Sequence, residues 1–503
     1  MSRVTVLLLS MLLIVGGVLS ASAANIPPTV TITDPASGSC YTPSAKVTVY
    51  ATAADSDGSI TKVDFYLLFL GVYYLQDGIL AATDTGAPYH CTLSSLGVGS
   101  YSLTAKAYDN LGAVTTSAAV PITVASDGGH NLYFGYLHSH TVASDGQKTA
   151  LQAYDQAKAS YCDFLGLSDH SGFTTTLEEI KHGKPLVSSM AEWTQLQADA
   201  NTKNVDGTFV AIAGYEWGSP NSHIGIFDTT TLYTGHDFND FCTWIAGTNA
   251  MAIFYHPYTS KDLWFEHAPV ANFVNMELWN WGDNIYYDDP GTRIDGFYPN
   301  DGGMNFYNEG LLRGWRYGAG GGEDAHDGEF GQQGESTVGV WAPSLTRENI
   351  LNAYRRGTTY SVVGDTRKTT YSVVGDVGYR SSESEYATGK RLRLSFRMDG
   401  NQMGSKIAPG DHSVAISLSD DDPAKTFARV QLLKNGQVIE TWTPYTSTFN
   451  TTYSVTGTVA GDYFYITAAH TLDAHGKITN GAFSSPIFVA GELSSAPAAP
   501  TME

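Results

Sequence analysis

The chain has 503 residues, 50 of them acidic and 28 basic, for a formal charge of −22. That balance argues against a nucleic-acid partner, whose phosphates need clustered Lys and Arg, and suits a soluble chain that attracts divalent cations. The length allows about three domains, and four cysteines are too few for a disulfide-built scaffold.

Arg3 precedes an apolar run from Val4 to Leu19, and Ala21-Ser22-Ala23 follows. A charged start, a short apolar stretch and an A-x-A site predict a secretory signal over 1–23, so the mature protein is expected to be secreted or periplasmic. No later stretch is long and uncharged enough to predict a membrane span. Pro27-Pro28 then opens a region of short alternating runs, including Val30–Thr33, Val47–Ala51, Ile60–Tyr66 and Tyr101–Asp109, divided by turn clusters. The pattern predicts an antiparallel β-sandwich over 27–125. Its Pro-Pro-x-Val-x-Ile opening, Pro27 to Ile32, and its Ala-x-Asp-x-x-Gly stretch, Ala107 to Gly112, resemble bacterial Ig-like domains. Such a domain either spaces its neighbour from a surface or binds a cell-surface polysaccharide. Cys40 and Cys91 both fall here and are candidates for a disulfide after export. Cys162 and Cys242 read as plain buried residues rather than a second bridge.

Ser126–Gly129 reads as a linker into a middle domain over 126–378. Its first run, Tyr133-Phe134-Gly135-Tyr136-Leu137, ends in His138-Ser139-His140. Alternate strand residues face the same way, so both imidazoles can reach one ion, and Asp145 follows in a Ser-Asp-Gly turn. Leu151, Tyr154 and Ala157 then recur at helical spacing. Phe164–Ser168 ends in Asp169-His170, Phe209–Tyr215 in Glu216, Met251–Tyr255 in His256-Pro257, and Phe273–Met276 in Glu277. His223 starts the run Ile224–Phe227, and Trp315–Gly322 leads to Glu323-Asp324-Ala325-His326. Strand, helix and strand in succession make a βαβ unit, and in a β/α barrel the carboxyl ends of the strands share the face that carries chemistry. Ten of the 14 histidines fall in this domain. Imidazoles and carboxylates without thiolates suit Zn, Mn or Fe.

Thr346 to Gly357 reads as a last helix with an N-cap and a glycine stop. Thr358–Asp365 is then repeated identically at Thr369–Asp376, and one copy is expected to loop out. Alternating runs from Arg391 to Val489, with a hairpin turn at Asn435-Gly436, predict a C-terminal β-sandwich over 379–490. The Pro- and Ala-rich end, 491–503, is expected to be disordered.

The motifs of the middle domain are together similar to the PHP (polymerase and histidinol phosphatase) superfamily of metallohydrolases, in its exported CehA-like branch. The resemblance is carried by Leu137-His138-Ser139-His140-Thr141, Ser144-Asp145-Gly146, Ser168-Asp169-His170, Gly214-Tyr215-Glu216-Trp217, Ser222-His223, His256-Pro257 and Glu323-Asp324-Ala325-His326. Three positions depart from it: Tyr136 stands where Asp is usual, and Gly322-Glu323-Asp324-Ala325-His326, with Glu323 and Ala325, stands where Gly-Ser-Asp-Ser-His is commoner. The resemblance implies a multidomain α/β chain whose centre is a distorted (β/α)7 barrel, flanked by the two sandwiches. It implies two or three divalent ions. His138, His140, Glu216 and Asp324 would hold one; Glu216 would bridge to a second with His256 and His223; Asp145, His170 and His326 would form a third position. Glu216, Asp145 and His326 are the expected catalytic residues. The activity implied is hydrolysis of a small-molecule phosphoester, with carbamate, ester or amide hydrolysis, or a surface-binding protein that has lost activity, as alternatives. Arg313 and Arg316 could hold an anionic substrate or form surface ion pairs. Tyr215, Trp217, Trp279 and Trp281 could line the pocket mouth or pack beneath a loop, and His182, His236 and His267 read as surface or packing residues.

Overall fold

Alternation of buried and exposed side chains builds the first domain: β7 below buries every second residue from Tyr101 to Asp109. The computed structural model describes residues 25–43, 45–69, 78–94, 96–125, 129–171, 186–187, 189–219, 222–257, 267–280, 283–284, 306–326, 328–331, 336–363, 372–373, 378–379, 391–472 and 478–490. The expected signal segment, His182, Trp281 and the expected disordered end lie outside them.

The strands of this domain are β1 (Thr29–Asp34), β2 (Ser39–Tyr41), β3 (Val47–Ala54), β4 (Ile60–Phe69), β5 (Ile79–Asp84), β6 (Tyr89–Leu93), β7 (Gly99–Asp109), β8 (Val114–Thr116) and β9 (Val120–Val124). One sheet has the order β1-β3-β6 and the other β2-β9-β7-β4-β5, with β8 beside β7. Val47, Val49, Val63, Phe65, Leu103 and Ile122 fill the space between them. Cys40 and Cys91, candidates for a disulfide, are not bridged: both are buried, Cys40 on β2 and Cys91 on β6, in opposite sheets. Cys162 and Cys242 are also unbridged, and only partly buried.

The middle domain is built on β10 (Asn131–Tyr136), β11 (Phe164–Ser171), β12 (Val210–Ser219), β13 (Ser222–Phe227), β14 (Met251–Tyr255), β15 (Phe273–Asn280), β16 (Asp283–Asn284), β17 (Gly318–Gly322), β18 (Thr337–Ala342) and β19 (Thr359–Val363). The helices described are α1 (Ala150–Ala159), α2 (Met190–Lys203), α3 (Phe238–Ala246), α4 (Phe306–Leu312) and α5 (Arg347–Arg356). Capping explains where several begin. Thr149 and Ser189 each close a capping box, with Gln152 and Glu192. Thr346 caps α5, and Gly357 ends it at φ 68°, as the sequence predicts.

The strand order matches the distorted (β/α)7 barrel expected for this domain only in part. β10, β11 and β12 run parallel, but β13 returns antiparallel to both β12 and β14. The link between Ser219 and Ser222 is two residues long, which permits a hairpin and forbids a helical crossover. β14, β15 and β17 are parallel again. Beyond their strand ends, β17 and β10 meet at a bridge between Ser139 and Ala325, and His140 N–H donates to the Ala325 carbonyl at 3.0 Å. The other edge of β10 pairs antiparallel with β18, and the ladder leaves the ring through β19. It continues into residues Ile478–Ser484, Tyr463–Leu472, Arg429–Lys434 and Gln437–Trp442. A second C-terminal sheet, formed chiefly by Leu392–Met398, Gly410–Asp420 and Thr448–Thr458, packs on that extension through Leu394, Phe396, Ile416, Val430, Leu432 and Ile466. The first repeat copy supplies β19. The second is described only at Ser372–Val373, in a separate two-stranded pairing with Gly378–Tyr379.

The first and last domains are clasped at Asp399. Its carboxylate accepts from the backbone N–H of Ser413 at 2.9 Å, meets His412 Nδ1 at 3.0 Å and accepts from Lys46 of the first domain at 3.2 Å. Burial works against ionisation of Asp399, but Ser413, His412 and Lys46 outweigh it and hold its carboxyl below the usual carboxylate range. The group therefore stabilises the fold fully above the ordinary carboxylate pKa, and that contribution is lost as pH falls through the lowered value. Asp399→Ala should cost about 1–3 kcal/mol at pH 7. In calorimetry an early transition of the first domain should separate from the main one, and melting curves that superimpose on the wild type would contradict the clasp.

Candidate metal centre

Strand ends deliver the side chains, and burial makes their charges matter. His138 and His140 leave the end of β10 fully buried, His170 lies on β11, Glu216 on β12, His223 on β13, and His256 follows β14. Asp324 and His326 come from the segment after β17, and Asp145 from the turn after His140. All nine residues expected as metal ligands converge. The Glu216 carboxylate is central. Its Oε1 lies 2.6 Å from His223 Nδ1 and 3.7 Å from His256 Nε2. Its Oε2 lies 3.2 Å from His140 Nε2, 3.2 Å from His170 Nδ1 and 3.5 Å from His138 Nε2. Asp324 Oδ1 sits 2.9 Å from His140 Nε2 and 3.1 Å from His138 Nε2. Asp145 Oδ1 sits 3.1 Å from His326 Nε2 and 3.6 Å from His170 Nε2.

These atoms are close without being satisfied by one another. Among the described residues, the Nε2 atoms of His138 and His140, His170 Nδ1, both Glu216 oxygens and Asp324 Oδ1 are buried and make no hydrogen bond. Three groups within them have ligand spacing: His138, His140 and Asp324; His138, Glu216 and His256; and His140, Asp145, His170 and His326. Lone pairs directed at shared points, in a donor set of imidazole and carboxylate, fit divalent cations. The electrostatics agree. Despite the opposing effect of burial, His170 and His223 hold Glu216 well below the usual range, and His138 and His326 do the same for Asp324. Burial pushes His170 down to about 3, so its ring is neutral. The buried carboxylates therefore keep their charge and call for positive charge beside them, which bound cations supply.

A layer of residues behind the ligands sets their orientation. Glu277 Oε1 lies 2.9 Å from His138 Nδ1, and its Oε2 accepts from the backbone N–H of His256 at 2.9 Å and from Asn280 at 3.0 Å. With Nδ1 donating to Glu277, His138 keeps the Nε2 lone pair for an ion. Gly322 makes room for this contact: a Cβ there would lie 2.3 Å from Glu277 Oε1 and 2.7 Å from His138 Cβ. Asp169 accepts from Thr141 N–H at 2.6 Å, from its hydroxyl at 2.8 Å and from Ser144 at 2.8 Å, which fixes the turn carrying Asp145. Glu277 and Asp169 were visible in sequence as strand-end acids, but nothing in their spacing marked them as supports rather than ligands. Two of the three positions that depart from the motifs of the resemblance, Tyr136 and Glu323, prove to be partners. Tyr136 O–H donates to Glu323 Oε2 at 2.6 Å, and the N–H of Gly331 serves both.

Other candidates lie elsewhere. Arg313 pairs with Glu309 one helical turn away, and Arg316 donates to backbone carbonyls in a cleft described below, so neither joins the centre. Tyr215, Trp217 and Trp279 are buried packing residues. His267 packs beside Phe238 with ring centroids 4.7 Å apart, and His236 is exposed.

Residues 28–105 match the family described as Bacterial Ig domain. The N-terminal sandwich is a bacterial Ig domain. Among solved structures, fibronectin(III)-like modules of Clostridium thermocellum CbhA are 30% identical over 20% of this chain and 97% of theirs, with a TM-score of 0.17. A two-domain protein from Bacteroides vulgatus, described as containing a predicted PHP-like metal-dependent phosphoesterase, is 13% identical over 72% of this chain and 96% of its own, with a TM-score of 0.36. Both scores fall below those of a shared overall fold. Comparison with curated proteins returns no match. Among the described residues, no helix is long and apolar enough to cross a membrane.

If Glu277 orients His138, then Glu277→Gln should weaken metal binding by about 10–100-fold while the chain stays folded. Competition with a chelator measures this, and unchanged retention would show that Glu277 has no such role.

Proposed function

We propose that the chain is an exported metal-dependent hydrolase that cleaves a phosphoester of a small molecule. The observation that carries this reading is the position of Glu216. One buried carboxylate presents one oxygen to His223 and His256 and the other to His138, His140 and His170. That is how a group shared by two cation positions is arranged. His138, His140 and Asp324 would complete one position and His223 and His256 the next, with Asp145, His170 and His326 at a third. Divalent ions bound there would supply Lewis-acid polarisation of the substrate and a lowered pKa for water. Export is supported by the apolar segment Val4–Leu19 and the Ala21-Ser22-Ala23 site that follows it.

The chain's own contribution is orientation and proton handling. Tyr255 stacks on the His138 ring at 3.6 Å between centroids, and its hydroxyl donates to the Leu137 carbonyl, so the first imidazole is held on both faces of its backbone turn. His326 is the most exposed of the nine, with 36% of its side chain open to solvent. Its Nδ1 lies 2.7 Å from the Asp324 carbonyl, which leaves Nε2 facing Asp145 at the mouth. Nδ1 thus holds the ring's proton on that carbonyl, and Nε2 keeps its lone pair for the third cation position. Tyr255, buried and stacked on the His138 ring, shields that ligand from bulk water.

Mature protein expressed with added metal should carry two or three transition-metal ions per chain, since nine ligand side chains exceed what one ion uses. Glu216→Gln keeps the shape but removes a charge and a ligand oxygen. It should lose metal and slow turnover at least about 100-fold, whereas His236→Ala should change neither. Elemental analysis and a screen of phosphomonoesters, phosphodiesters and aryl carbamates measure both. Full metal content and activity in Glu216→Gln would overturn the reading, and turnover confined to the carbamates would reassign the bond.

A further inference from the structure

Arg356, the last residue of α5, is directed away from the metal centre into a cleft of about 380 Å³ where the three domains meet. Asp34 and Tyr41 of the first domain line it, with Arg316 and Arg356 of the middle domain and Gln402 and Lys406 of the last. The size lies in the ~300–1,000 Å³ range of small-molecule sites. The chemistry of its wall is one-sided. Arg356 Nη1 donates to the Ser37 carbonyl at 3.1 Å, yet among the described residues its Nε and Nη2 are buried without a hydrogen-bond partner. Gln402 is 2% exposed. Its Oε1 takes a hydrogen bond from His130 Nδ1 at 2.9 Å, which assigns its Nε2 as donor, and that atom is also buried without a partner.

Burial keeps the His130 ring neutral, pushing it down to about 4, so it adds no charge. Arg316 lies over the Phe488 ring at 4.8 Å and donates to the carbonyls of Leu311 and Trp315, with no carboxylate partner among the described residues. Arg355, by contrast, is spent on Asp228 at 2.6 Å. The cleft's acid is Asp34, whose carboxyl burial pushes up to about 7 against the pull of Lys406. Guanidinium groups keep their proton even when buried, and an unpaired one is costly. In a chain of net charge −22, donors and cations gathered this way require an explanation other than general surface charge.

We propose that this cleft binds a small oxyanion, a carboxylate or phosphate, on Arg356 and Gln402, with Arg316 and Lys406 adding charge. The ligand would accept from donors of the middle and last domains beside the Ser37 contact of the first, so it would also fasten the junction. Calorimetric titration of the full mature chain with inorganic phosphate, and separately with citrate, tests this against sodium chloride at matched ionic strength. One saturable site is expected, weakened at least ~10-fold in Arg356→Gln and a few-fold in Lys406→Gln, with hydrolytic activity unchanged in both. Gln402→Leu should weaken it as well, without removing any charge. Circular dichroism checks each variant's fold, and Lys406, which is exposed, serves if Arg356→Gln does not fold. Tighter binding of phosphate would identify a phosphorylated ligand and of citrate a polycarboxylate. Binding no tighter than chloride, or equal in the wild type and every folded variant, would overturn the proposal.

Discussion

A carboxylate with no exposed surface, Glu216, sits at the end of β12 with five imidazoles around it. Burying that charge is expensive unless positive charge lies within contact distance on more than one side. The requirement determines much of the middle domain. Strands from both halves of the ring must end at the same depth, and the turn after His140 must fold back to bring Asp145 in. The β12–β13 hairpin, which breaks the parallel order, is what brings His223 within reach of Glu216: His223 pairs with Gly218, two residues along the ladder, and Glu216 with Gly225. The irregularity of the sheet and the geometry of the centre are therefore one feature.

The glycine strand β17 shows the same constraint from behind. Gly318, Gly320, Gly321 and Gly322 are buried, and side chains there would strike Ser485, Asn275, Ser336 and Glu277. Their absence lets β15 bring Glu277 against His138 and leads the backbone into Asp324, whose φ of 47° is unusual for a residue with a side chain. Tyr136 and Glu323 close the other flank. Two sequence changes that looked unrelated, 187 positions apart, form one buried hydrogen bond.

Much of the centre was legible because strand-end chemistry leaves a local trace. His138 and His140 are two residues apart on a strand, and runs ending in His, Asp or Glu recur along the middle domain. The helix caps at Thr346 and Gly357 and the turn at Asn435-Gly436, both residues of which have positive φ, were local for the same reason. What escaped was relational. The direction of β13, the Arg316 cleft and the support given by Glu277 and Asp169 depend on contacts between distant residues, and composition carries no record of those. Cys40 and Cys91 illustrate the reverse error, since membership of one domain does not place two thiols in one sheet.

The ladder that leaves the ring through β19 has a consequence in time. Thr359 and Ser485 share a hydrogen bond, and Ser485 also accepts from the N–H of Ala319 on β17, 166 residues earlier. The strand that leads into Asp324 and His326 thus leans on a segment made 166 residues after it. Contacts so far apart form late and slowly. A partly synthesised chain can pair the strands of the Ig domain among themselves, but β17 lacks this support until the segment around Ser485 is available. That order delays assembly of the finished centre until the C-terminal sheet has been made.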